Sequence, residues 1–506
     1  MSFTLANMLR QHAKDRADSS AFSDGTLDRT FGELDARSSR VANALLDAGV
    51  RPGDRVALLM KNDVRFFEVL FAYSKIDAVV VGLNWRLNPR ELAAILDDAA
   101  PKLTVVDVEH RNCLPSETDE ATSAGKVVVL GDQYEAWLAD SASEDPQVPS
   151  GPDSPVVILY SSGTTGRPKG IMLSNRNVSN LRQMAVELFR MRPDGVHLVA
   201  SPLFHVGGML TGLTMTALGG RTVLVRDATP ALLLELIERE RVTNAFFVPA
   251  VIQRLTELTE GGRPDLSSLE TIAYGAAPMT ESLLRRAIRA LGCGFVGCYG
   301  MTETAGTVLA LPPDEHVFEG PGSRLLRSVG RPLSWAEVEV RELRTGKPLA
   351  DGEVGEIWVR SDGNMIGYFN QPEASATALL EGGWLRTGDG ALRDEQGYFF
   401  LQDRIKDMII TGGENVYPAE VENVLSEHPA VGDVAVIGVP DPKWSETVKA
   451  VVVARAGQTV TPEELIRFAR ARLAHYKCPT SVEVVGALPR SATDKVLKNV
   501  LRDTYS

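Results

Sequence analysis

A glycine-rich segment in the first third of the chain follows a run of apolar residues. The apolar run at 156–159 predicts a buried strand, and the segment after it combines glycines, hydroxyl side chains and one lysine. Glycines let backbone amides approach phosphate oxygens, hydroxyl groups donate further hydrogen bonds, and the lysine supplies a positive charge. A solvated turn has a similar composition and the Walker spacing is absent, but we interpret the segment as a triphosphate-binding loop. Its candidate ligands are Ser161, Ser162, Gly163, Thr164, Thr165, Gly166 and Lys169.

Further motifs suited to nucleotide or acyl chemistry follow this loop along the chain. They lie at 273–278, 299–304, 384–389, 403–407 and 488–495. Together, and in this order, the motifs resemble the signatures of the adenylate-forming superfamily. That superfamily includes acyl-CoA synthetases, aryl-CoA ligases, peptide-synthetase adenylation domains and firefly-type luciferases. The resemblance covers about residues 5 to 503 and implies an enzyme that joins a carboxylic acid to AMP and then to coenzyme A.

The resemblance implies how ATP and Mg²⁺ are bound. Thr302 would contact the α-phosphate, and Glu303 would hold Mg²⁺, which one carboxylate commonly bridges to phosphate oxygens. Asp389 would accept both ribose hydroxyls, because one carboxylate offers two oxygens to a vicinal diol. Arg404 would also reach the ribose, with a salt-bridged surface role as the alternative. The residues expected around the adenine are Gly275, Ala276, Ala277, Tyr299 and Gly300.

The same resemblance assigns roles near the end of the chain. Lys495 would be the catalytic lysine, although many relatives have glycine where this chain has Asp494, a carboxylate that could raise the lysine pKa. Lys406 would be a hinge between two domains. Residues expected to contact coenzyme A are Gly412 and Gly413 along the pantetheine tunnel, Trp444 on the adenine and Lys477 on a phosphate, the last two with a plain surface role as an equal alternative.

The segment 201–209 resembles the acyl-pocket segment of the family. His205 would either gate the pocket or cap a helix end, and Gly207 and Gly208 leave space beside it. Malonate-type ligases tend to carry arginine at the position of Cys298. The expected substrate is therefore an acid with an uncharged acyl group: medium-chain aliphatic, alicyclic or aryl.

Three other functions remain as alternatives. A stand-alone acyl-AMP ligase would load a carrier protein, but the sequence contains no carrier domain and no insertion before the hinge. A luciferase-like oxygenase would emit light without coenzyme A. A degenerate nucleotide-binding protein would have lost catalysis, and retention of the motif residues argues against it.

The elements that must position these residues alternate between strand and helix. Thr30 and Glu33 fit a capping box before a helical apolar stripe, and buried strands are expected at 55–60 and 78–81. This alternation predicts an α/β fold with parallel strands and crossover helices. We expect a large N-terminal adenylation domain at 1–405 and a small mobile α+β domain at 406–506. Within the smaller domain, strands are expected at 433–439, 448–453 and 482–485, and helices near 418–427, 462–474 and 495–503.

Composition limits the remaining possibilities. The formal net charge of -13 argues against bulk electrostatic binding to nucleic acid. The four cysteines form no CxxC pair, so neither a zinc site nor a disulfide framework is expected. Because the sequence shows neither a signal peptide nor a transmembrane segment, we expect a cytoplasmic enzyme with a small-molecule acid as its partner. A homodimer is compatible with the sequence.

Overall fold

The fold is given by a computed structural model of the chain. It describes residues 3–114, 123–161, 168–261, 264–277, 279–404, 407, 409–411, 414–441, 444–491 and 495–505. Across these residues the strands form four sheets. The first two sheets are mostly parallel and lie in the larger N-terminal part, and the fourth lies in the smaller C-terminal part. This arrangement confirms the predicted fold class.

The first sheet carries the motifs of the second third of the chain. Its neighbouring strands from Gly294–Met301 to Ser20–Ser23 run parallel, and antiparallel strands close both edges. In spatial order the strands are Arg331–Pro332, Gly306–Leu311, Gly294–Met301, Thr271–Gly275, Asn244–Phe247, Val196–Val199, Arg221–Leu224, Ser20–Ser23 and Asp28–Thr30.

The second sheet carries the glycine-rich loop at the end of one central strand. Its strands 79–82 and 103–106 are buried at every residue, as expected for parallel strands covered on both faces. In spatial order the strands are Gly367–Tyr368, Lys169–Ser174, Pro155–Ser161, Val79–Gly82, Arg55–Leu59, Leu103–Val106 and Lys126–Val129.

Two antiparallel-rich sheets follow. The third contains Ala336–Arg341, Val354–Ser361, Trp384–Arg393 and Leu379–Leu380, with Phe399–Arg404 paired to Trp384–Arg393. The fourth contains Glu414–Val416, Ile409–Thr411, Ser445–Ala454 and Val431–Asp441, with Ser481–Val485 parallel to Ser445–Ala454.

Helices connect the strands and bury an apolar side against them. The helices are Leu5–Asp15, Phe31–Asp47, Val64–Ile76, Pro89–Ala99, Asp132–Ala139, Leu181–Gln183, Val206–Leu218, Pro230–Arg239, Pro249–Gly261, Glu281–Leu291, Pro372–Ala378, Pro418–Ser426, Pro462–Arg470 and Lys498–Tyr505, with a π-helical turn at Met184–Leu188. In the described part of the chain, no helix is long and apolar enough to cross a membrane.

Local sequence rules account for several element boundaries. The capping box is confirmed, since the Thr30 side chain accepts from the Glu33 amide at 3.2 Å and the Glu33 carboxylate accepts from the Thr30 amide at 3.0 Å.

The predicted C-terminal strands are confirmed with longer bounds. The last helix, however, begins at Lys498 rather than at 495. The reason is a hairpin in which the Leu497 amide donates to the Pro489 carbonyl at 2.8 Å.

A buried histidine makes the stability of the first sheet depend on pH. His197 is fully buried, its Nδ1–H donates to the Asn244 carbonyl at 3.1 Å, and its Nε2 has no partner among the described residues. Burial lowers the pKa of His197 to about 4. The unfolded chain therefore takes up a proton on His197 near pH 6.5, whereas the folded chain takes it up only near pH 4. The free energy of unfolding therefore decreases as the pH falls from 6.5 towards 4.

Because of His197, we expect the free energy of unfolding to be about 2 kcal/mol lower at pH 5 than at pH 7, since each pH unit between the two pKa values corresponds to about 1.4 kcal/mol. Urea unfolding at both pH values measures this cost. His197→Gln should flatten the pH dependence, and His475→Gln, at an exposed position, should not. An unchanged slope in His197→Gln would contradict the assignment.

Candidate active site

The two ends of the glycine-rich loop lie side by side on neighbouring strands. Ser161 ends one strand, Lys169 begins the next, and the two residues are antiparallel register partners. The second sheet therefore brings the two ends of the loop together. The other predicted phosphate ligands, Ser162, Gly163, Thr164, Thr165 and Gly166, lie outside the described residues, and their roles stay predictions.

Lys169 and Glu303 approach opposite parts of one tyrosine. The Lys169 Nζ lies 4.8 Å from the centroid of the Tyr368 ring, within the range of a cation–π contact. The Tyr368 hydroxyl donates to Glu303 Oε1 at 3.0 Å. The predicted phosphate-binding cation and the predicted metal-binding carboxylate are thus brought together, although 134 residues separate them in the chain.

Glu303 is fixed by a tight turn that follows strand 294–301. Residues Thr302–Thr304 form a short 3₁₀ turn, and the Glu303 carbonyl accepts from the Met365 amide at 2.8 Å. Ala305 and Gly306 both have positive φ, 47° and 104°, so the chain reverses sharply. This reversal places Thr302 and Glu303 at the end of the strand, where a phosphate group could meet both.

Tyr299 and Asp389 meet across two sheets. The Tyr299 hydroxyl donates to Asp389 Oδ2 at 2.8 Å. Asp389 and Arg404 are backbone register partners on neighbouring strands of the third sheet. The two residues predicted to bind the ribose therefore lie at the same level of one sheet, next to the residue predicted to flank the adenine.

Close backbone approaches explain the small residues of the predicted adenine site. A Cβ atom on Gly275 would lie 2.5 Å from the Cys298 carbonyl oxygen, and one on Gly300 would lie 1.9 Å from that of Gly306. Ala276, which precedes Ala277, has a φ of 65°, a conformation that is rare for residues other than glycine. Close backbone packing therefore requires glycine at 275 and 300, and the adenine contacts of these residues stay predictions.

His205 and Lys495 come from different parts of the chain and lie near each other. Burial lowers the pKa of His205 to about 3, and the positive charges of Lys495 and Arg86 add to this effect. The imidazole is therefore neutral. His205 occupies the N-cap position of helix 206–218, but its side chain makes no capping hydrogen bond. The gating role stays a prediction.

The backbone around Lys495 is held by a short hairpin. The Ser491 amide donates to the Lys495 carbonyl at 2.7 Å, and the Lys495 amide donates to Ser491 Oγ at 3.2 Å. Asp494 lies outside the described residues, so its effect on the lysine stays a prediction. Lys495 is exposed, and its charge lies close enough to His205 to lower the pKa of the imidazole.

Helix 206–218, which follows His205, packs against an apolar cluster. The expectation that Gly208 leaves space is wrong, because a Cβ on Gly208 would lie 2.2 Å from the Pro202 carbonyl oxygen and the backbone already fills that position. Burial raises the pKa of the Cys298 thiol to about 12, so this group is neutral. The neighbouring cluster consists of Met184, Ala185, Leu188, Phe189, Met191, Met215, Leu218, Ala273, Val296 and Ala310, with Phe246, Cys298, Leu333 and Trp335 packed against it.

Comparison with known proteins identifies the family. A family model described as AMP-binding enzyme matches residues 9–369, and one described as AMP-binding enzyme C-terminal domain matches residues 420–495. The chain belongs to the AMP-binding enzymes. The match confirms the resemblance to the adenylate-forming superfamily, of the acyl-CoA synthetase type.

Several relatives of this AMP-binding enzyme align over nearly their whole length. It is 42% identical over 479 residues to a feruloyl-CoA synthase of Amycolatopsis sp, covering 94% of both chains. It is 37% identical over 487 residues to the fatty acid–[acyl-carrier-protein] ligase ScoC of Streptomyces coeruleorubidus, covering 94% of this chain and 91% of that protein. The crystal structure of ATP-bound MatB from Rhodopseudomonas palustris matches with a TM-score of 0.90 at 31% identity, covering 99% of each chain.

The described residues of this AMP-binding enzyme that are predicted to contact coenzyme A lie in its smaller C-terminal part. Trp444 is 46% exposed. Lys477 forms an ion pair with Glu420 at 2.8 Å; burial opposes its charge, but the carboxylate outweighs burial and raises its pKa. Gly412, Gly413 and the hinge residue Lys406 lie outside the described residues. The coenzyme A site and the domain boundary stay predictions.

Sequence reasoning missed two groups that complete the site. Tyr368 joins Lys169 to Glu303, but nothing in the segment Gly367–Tyr368 suggests chemistry. Arg86 contributes positive charge near His205 and lies in a loop directly after a buried strand. Only its position at the carboxyl end of a parallel strand could have suggested a role.

Proposed function

We propose that this AMP-binding enzyme joins an acid with an uncharged apolar acyl group to coenzyme A through an acyl-adenylate. One observation supports the proposal: the Lys495 charge lies close enough to buried His205 to lower the pKa of its imidazole, and the helix that follows His205 packs against the apolar cluster. The pairs Tyr299–Asp389 and Tyr368–Glu303 lie at the ends of the adjoining strands. An apolar acyl group and a nucleotide would thus meet at one lysine.

In the first step, an oxygen of the acid forms a bond to the α-phosphorus of ATP, and the bond to pyrophosphate breaks. The barrier is largely repulsion between two anions. Lys495 would neutralise charge where the carboxylate meets the α-phosphate, and Lys169 would do so at the outer phosphates. Because His205 is uncharged, it would enclose the carboxylate without competing with Lys495.

Glu303 fits a magnesium ion by the chemistry of its donors. Its carboxylate oxygens are hard ligands, and Thr302 would bring a phosphate group beside them. When bound, Mg²⁺ would withdraw charge from the phosphate oxygens. The Tyr368 hydroxyl would hold the Glu303 carboxylate in place, at 3.0 Å from Oε1.

In the second step, the coenzyme A sulfur bonds to the acyl carbon, its proton leaves, and the bond to AMP breaks. This step needs space for a long thiol where Lys495 lies. The smaller domain, proposed as 406–506, would therefore rotate about Lys406 and bring Gly412 and Gly413 to the site. Lys477 would exchange Glu420 for a phosphate of coenzyme A.

The ribose assignment predicts a defect in ATP binding. Asp389→Asn should raise the KM for ATP about 10-fold, because hydrogen bonds to a charged group contribute about 1.5–3 kcal/mol. Tyr299→Phe should raise the KM for ATP about threefold, because the Tyr299 hydroxyl would no longer orient the Asp389 carboxylate. Steady-state kinetics of the two variants and their double mutant measure this. Additive effects would contradict coupling of the pair.

The proposed function is tested by AMP release from ATP and Mg²⁺ across aliphatic, alicyclic, aryl and dicarboxylic acids. We expect AMP formation that depends on coenzyme A and on an uncharged acid. A preference for malonate or an amino acid would overturn the pocket assignment. Absence of adenylate with every acid would leave a nucleotide-binding protein without catalysis.

A carrier protein is the second candidate acceptor, because ScoC is named as a ligase for an acyl carrier protein. The same assay with a phosphopantetheine-loaded carrier protein in place of coenzyme A separates the two acceptors. Faster turnover with the carrier would replace coenzyme A in the proposal. A cytoplasmic location and a homodimer also stay proposals, the latter checked by light scattering.

A further inference from the structure

We propose that Asn62 is a positioning residue of the acid site, because it fixes the backbone turn at 201–205 and thereby holds the His205 imidazole in place. The inference rests on the proposed function, since it takes His205 as a residue that contacts the acid. Asn62 belongs to none of the sequence motifs. It lies 141 residues from Leu203, the residue of the turn whose amide it binds.

Three hydrogen bonds join the Asn62 side chain to backbone groups of the first sheet. Its Nδ2 donates to the Ser201 carbonyl at 3.0 Å and to the Val225 carbonyl at 3.1 Å. Its Oδ1 accepts from the Leu203 amide at 3.0 Å. The amide thus uses both of its N–H groups inside the protein. Because Asn62 is only 4% exposed, water cannot readily replace these bonds.

These bonds link the two mostly parallel sheets at their carboxyl ends. Asn62 lies just after strand Arg55–Leu59 of the second sheet, whereas Ser201 and Val225 lie just after two parallel strands of the first sheet. Ligands of open α/β sheets bind outside the carboxyl ends of the strands. The link therefore lies on the side of both sheets where a substrate is expected.

The groups that Asn62 binds belong to a tight turn that ends at His205. The His205 amide donates to the Pro202 carbonyl at 3.1 Å, and Pro202 lies between the two residues of the turn that Asn62 binds. The His205 carbonyl accepts from the Met209 amide at 3.0 Å in the first turn of helix 206–218. A displacement of His205 would therefore break a hydrogen bond on one side or the other.

A strand of the second sheet packs directly against the same turn. A Cβ on Gly82 would lie 3.2 Å from the Cα of Phe204, which is closer than ordinary carbon contacts of about 3.5–4.0 Å. The Phe204 ring centroid lies 4.5 Å from that of His205. Packing at Gly82 and hydrogen bonds from Asn62 thus fix neighbouring residues of one turn by different means.

The backbone on both sides of Asn62 is itself held. The Lys61 amide donates to Asp107 Oδ2 at 3.1 Å, and Asp63 caps helix Val64–Ile76. A positioning residue needs such support, because a side chain on a loose backbone would not define the place of its partner. Asn62 therefore has the rigid base that its proposed role requires.

The imidazole held by this turn is suited to contact a bound acid. The His205 Nε2 is buried and has no hydrogen-bond partner among the described residues. Burial and the nearby Lys495 charge lower the pKa of His205 to about 3, so the ring is neutral. A hydrogen bond from a neutral ring depends steeply on its geometry. Displacement of the turn should therefore weaken binding of the acid and leave ATP binding nearly unchanged.

Modification of histidine by diethyl pyrocarbonate, followed by mass spectrometry, reports directly on the turn. Asn62→Ala should raise the rate of His205 modification about 10-fold, because buried backbone groups left without partners favour local opening. Fully buried His197 should stay unmodified. The KM for the acid should also rise about 10-fold and the KM for ATP less than about twofold. The acid used is the one turned over fastest among octanoate, cyclohexanecarboxylate and benzoate.

Asn175→Ala is the matched control. Asn175 is fully buried, and its side chain accepts from the Leu5 amide at 3.1 Å and donates to the Gly151 carbonyl at 3.0 Å. It follows the end of strand Lys169–Ser174, away from Lys169. Its loss should lower the free energy of unfolding in the same way but leave His205 modification and the KM for the acid unchanged.

Gly82→Ala keeps the inference testable if Asn62→Ala does not fold. It displaces the turn through Phe204 and removes no hydrogen bond of Asn62, so it should raise His205 modification and the KM for the acid in the same direction. Unchanged values in a folded Gly82→Ala enzyme would contradict the role of the turn.

A double-mutant cycle separates positioning of His205 from general structural support. In a His205→Ala background, Asn62→Ala should raise the KM for the acid less than about twofold, because the two residues act through one contact. Additive effects, an equal rise in Asn175→Ala, or an unchanged KM for the acid despite faster modification would overturn the inference.

The modification assay needs no turnover, so its outcome separates this inference from the proposed function. If the wild type adenylates no acid but Asn62→Ala still exposes His205, the proposed function is wrong and the fixation of His205 by Asn62 stands. If the wild type adenylates acids and Asn62→Ala changes neither His205 modification nor the KM for the acid, the proposed function stands and the inference is wrong.

Discussion

Lys495→Ala is expected to slow acyl-adenylate formation about 10²–10³-fold, the cost typical of removing one group that stabilises transition-state charge. Thioester formation from a supplied acyl-adenylate should change by less than about threefold, because the proposed second step needs the lysine withdrawn. The structure places the Lys495 charge close enough to His205 to lower its pKa. Single-turnover measurements of the two half-reactions distinguish these effects.

A matched control separates the role of Lys495 from loss of any lysine in the smaller domain. Lys449 lies 4.8 Å from the centroid of the Tyr505 ring, and Lys449→Ala should leave both half-reactions near the wild-type rates. Lys495→Arg keeps the charge but changes its reach, so it should restore adenylation only in part. An equal loss of both half-reactions in Lys495→Ala would mean that the lysine does not act in one step alone.

The candidate site residues could be proposed from the sequence because the types and spacing of residues within one motif already suggest its chemistry. The turn at Thr302–Thr304 is an example, since a carboxylate directly after a strand suggests a phosphate or metal site before its tertiary contacts are known. Strand and helix positions were predictable for the same reason. Periodicity and caps are local, as the capping box at Thr30 and Glu33 illustrates.

Contacts between distant motifs could not be predicted. Tyr299 and Asp389 are 90 residues apart, and Tyr368 and Glu303 are 65 residues apart. Only the order of strands in the sheets brings such pairs together, and no local rule sets that order. The role of Tyr368 therefore became visible only in the structure.

Packing details were equally hidden. The residues 181–188 have apolar side chains at helical spacing, which gives no sign of the π turn at Met184–Leu188. The helix predicted from 495 begins three residues later because hairpin hydrogen bonds compete with the first helical turn. The second difference concerns a predicted site residue, because Lys495 lies before the helix and not in its first turn.

Glu303→Gln is expected to reduce adenylation about 10²-fold and to raise the Mg²⁺ concentration for half-maximal rate about 10-fold. An amide oxygen carries no net charge, so it holds a hard dication less strongly than a carboxylate does. Adenylation rates over a series of Mg²⁺ concentrations at fixed ATP measure both quantities. Raising Mg²⁺ should recover part of the rate if the loss is one of metal affinity.

Tyr368→Phe is the matched variant for this prediction, because it keeps the Glu303 carboxylate and removes only the hydroxyl that lies 3.0 Å from it. Its effect should be about threefold to 10-fold, the net contribution of one hydrogen bond. The phenylalanine ring should preserve the contact with Lys169, so the KM for ATP should stay near the wild-type value. A loss in Tyr368→Phe as large as that in Glu303→Gln, or a Glu303→Gln enzyme with normal Mg²⁺ dependence, would remove Glu303 from the metal site. In that case Glu303 would act by fixing the tyrosine between the strand end and Lys169.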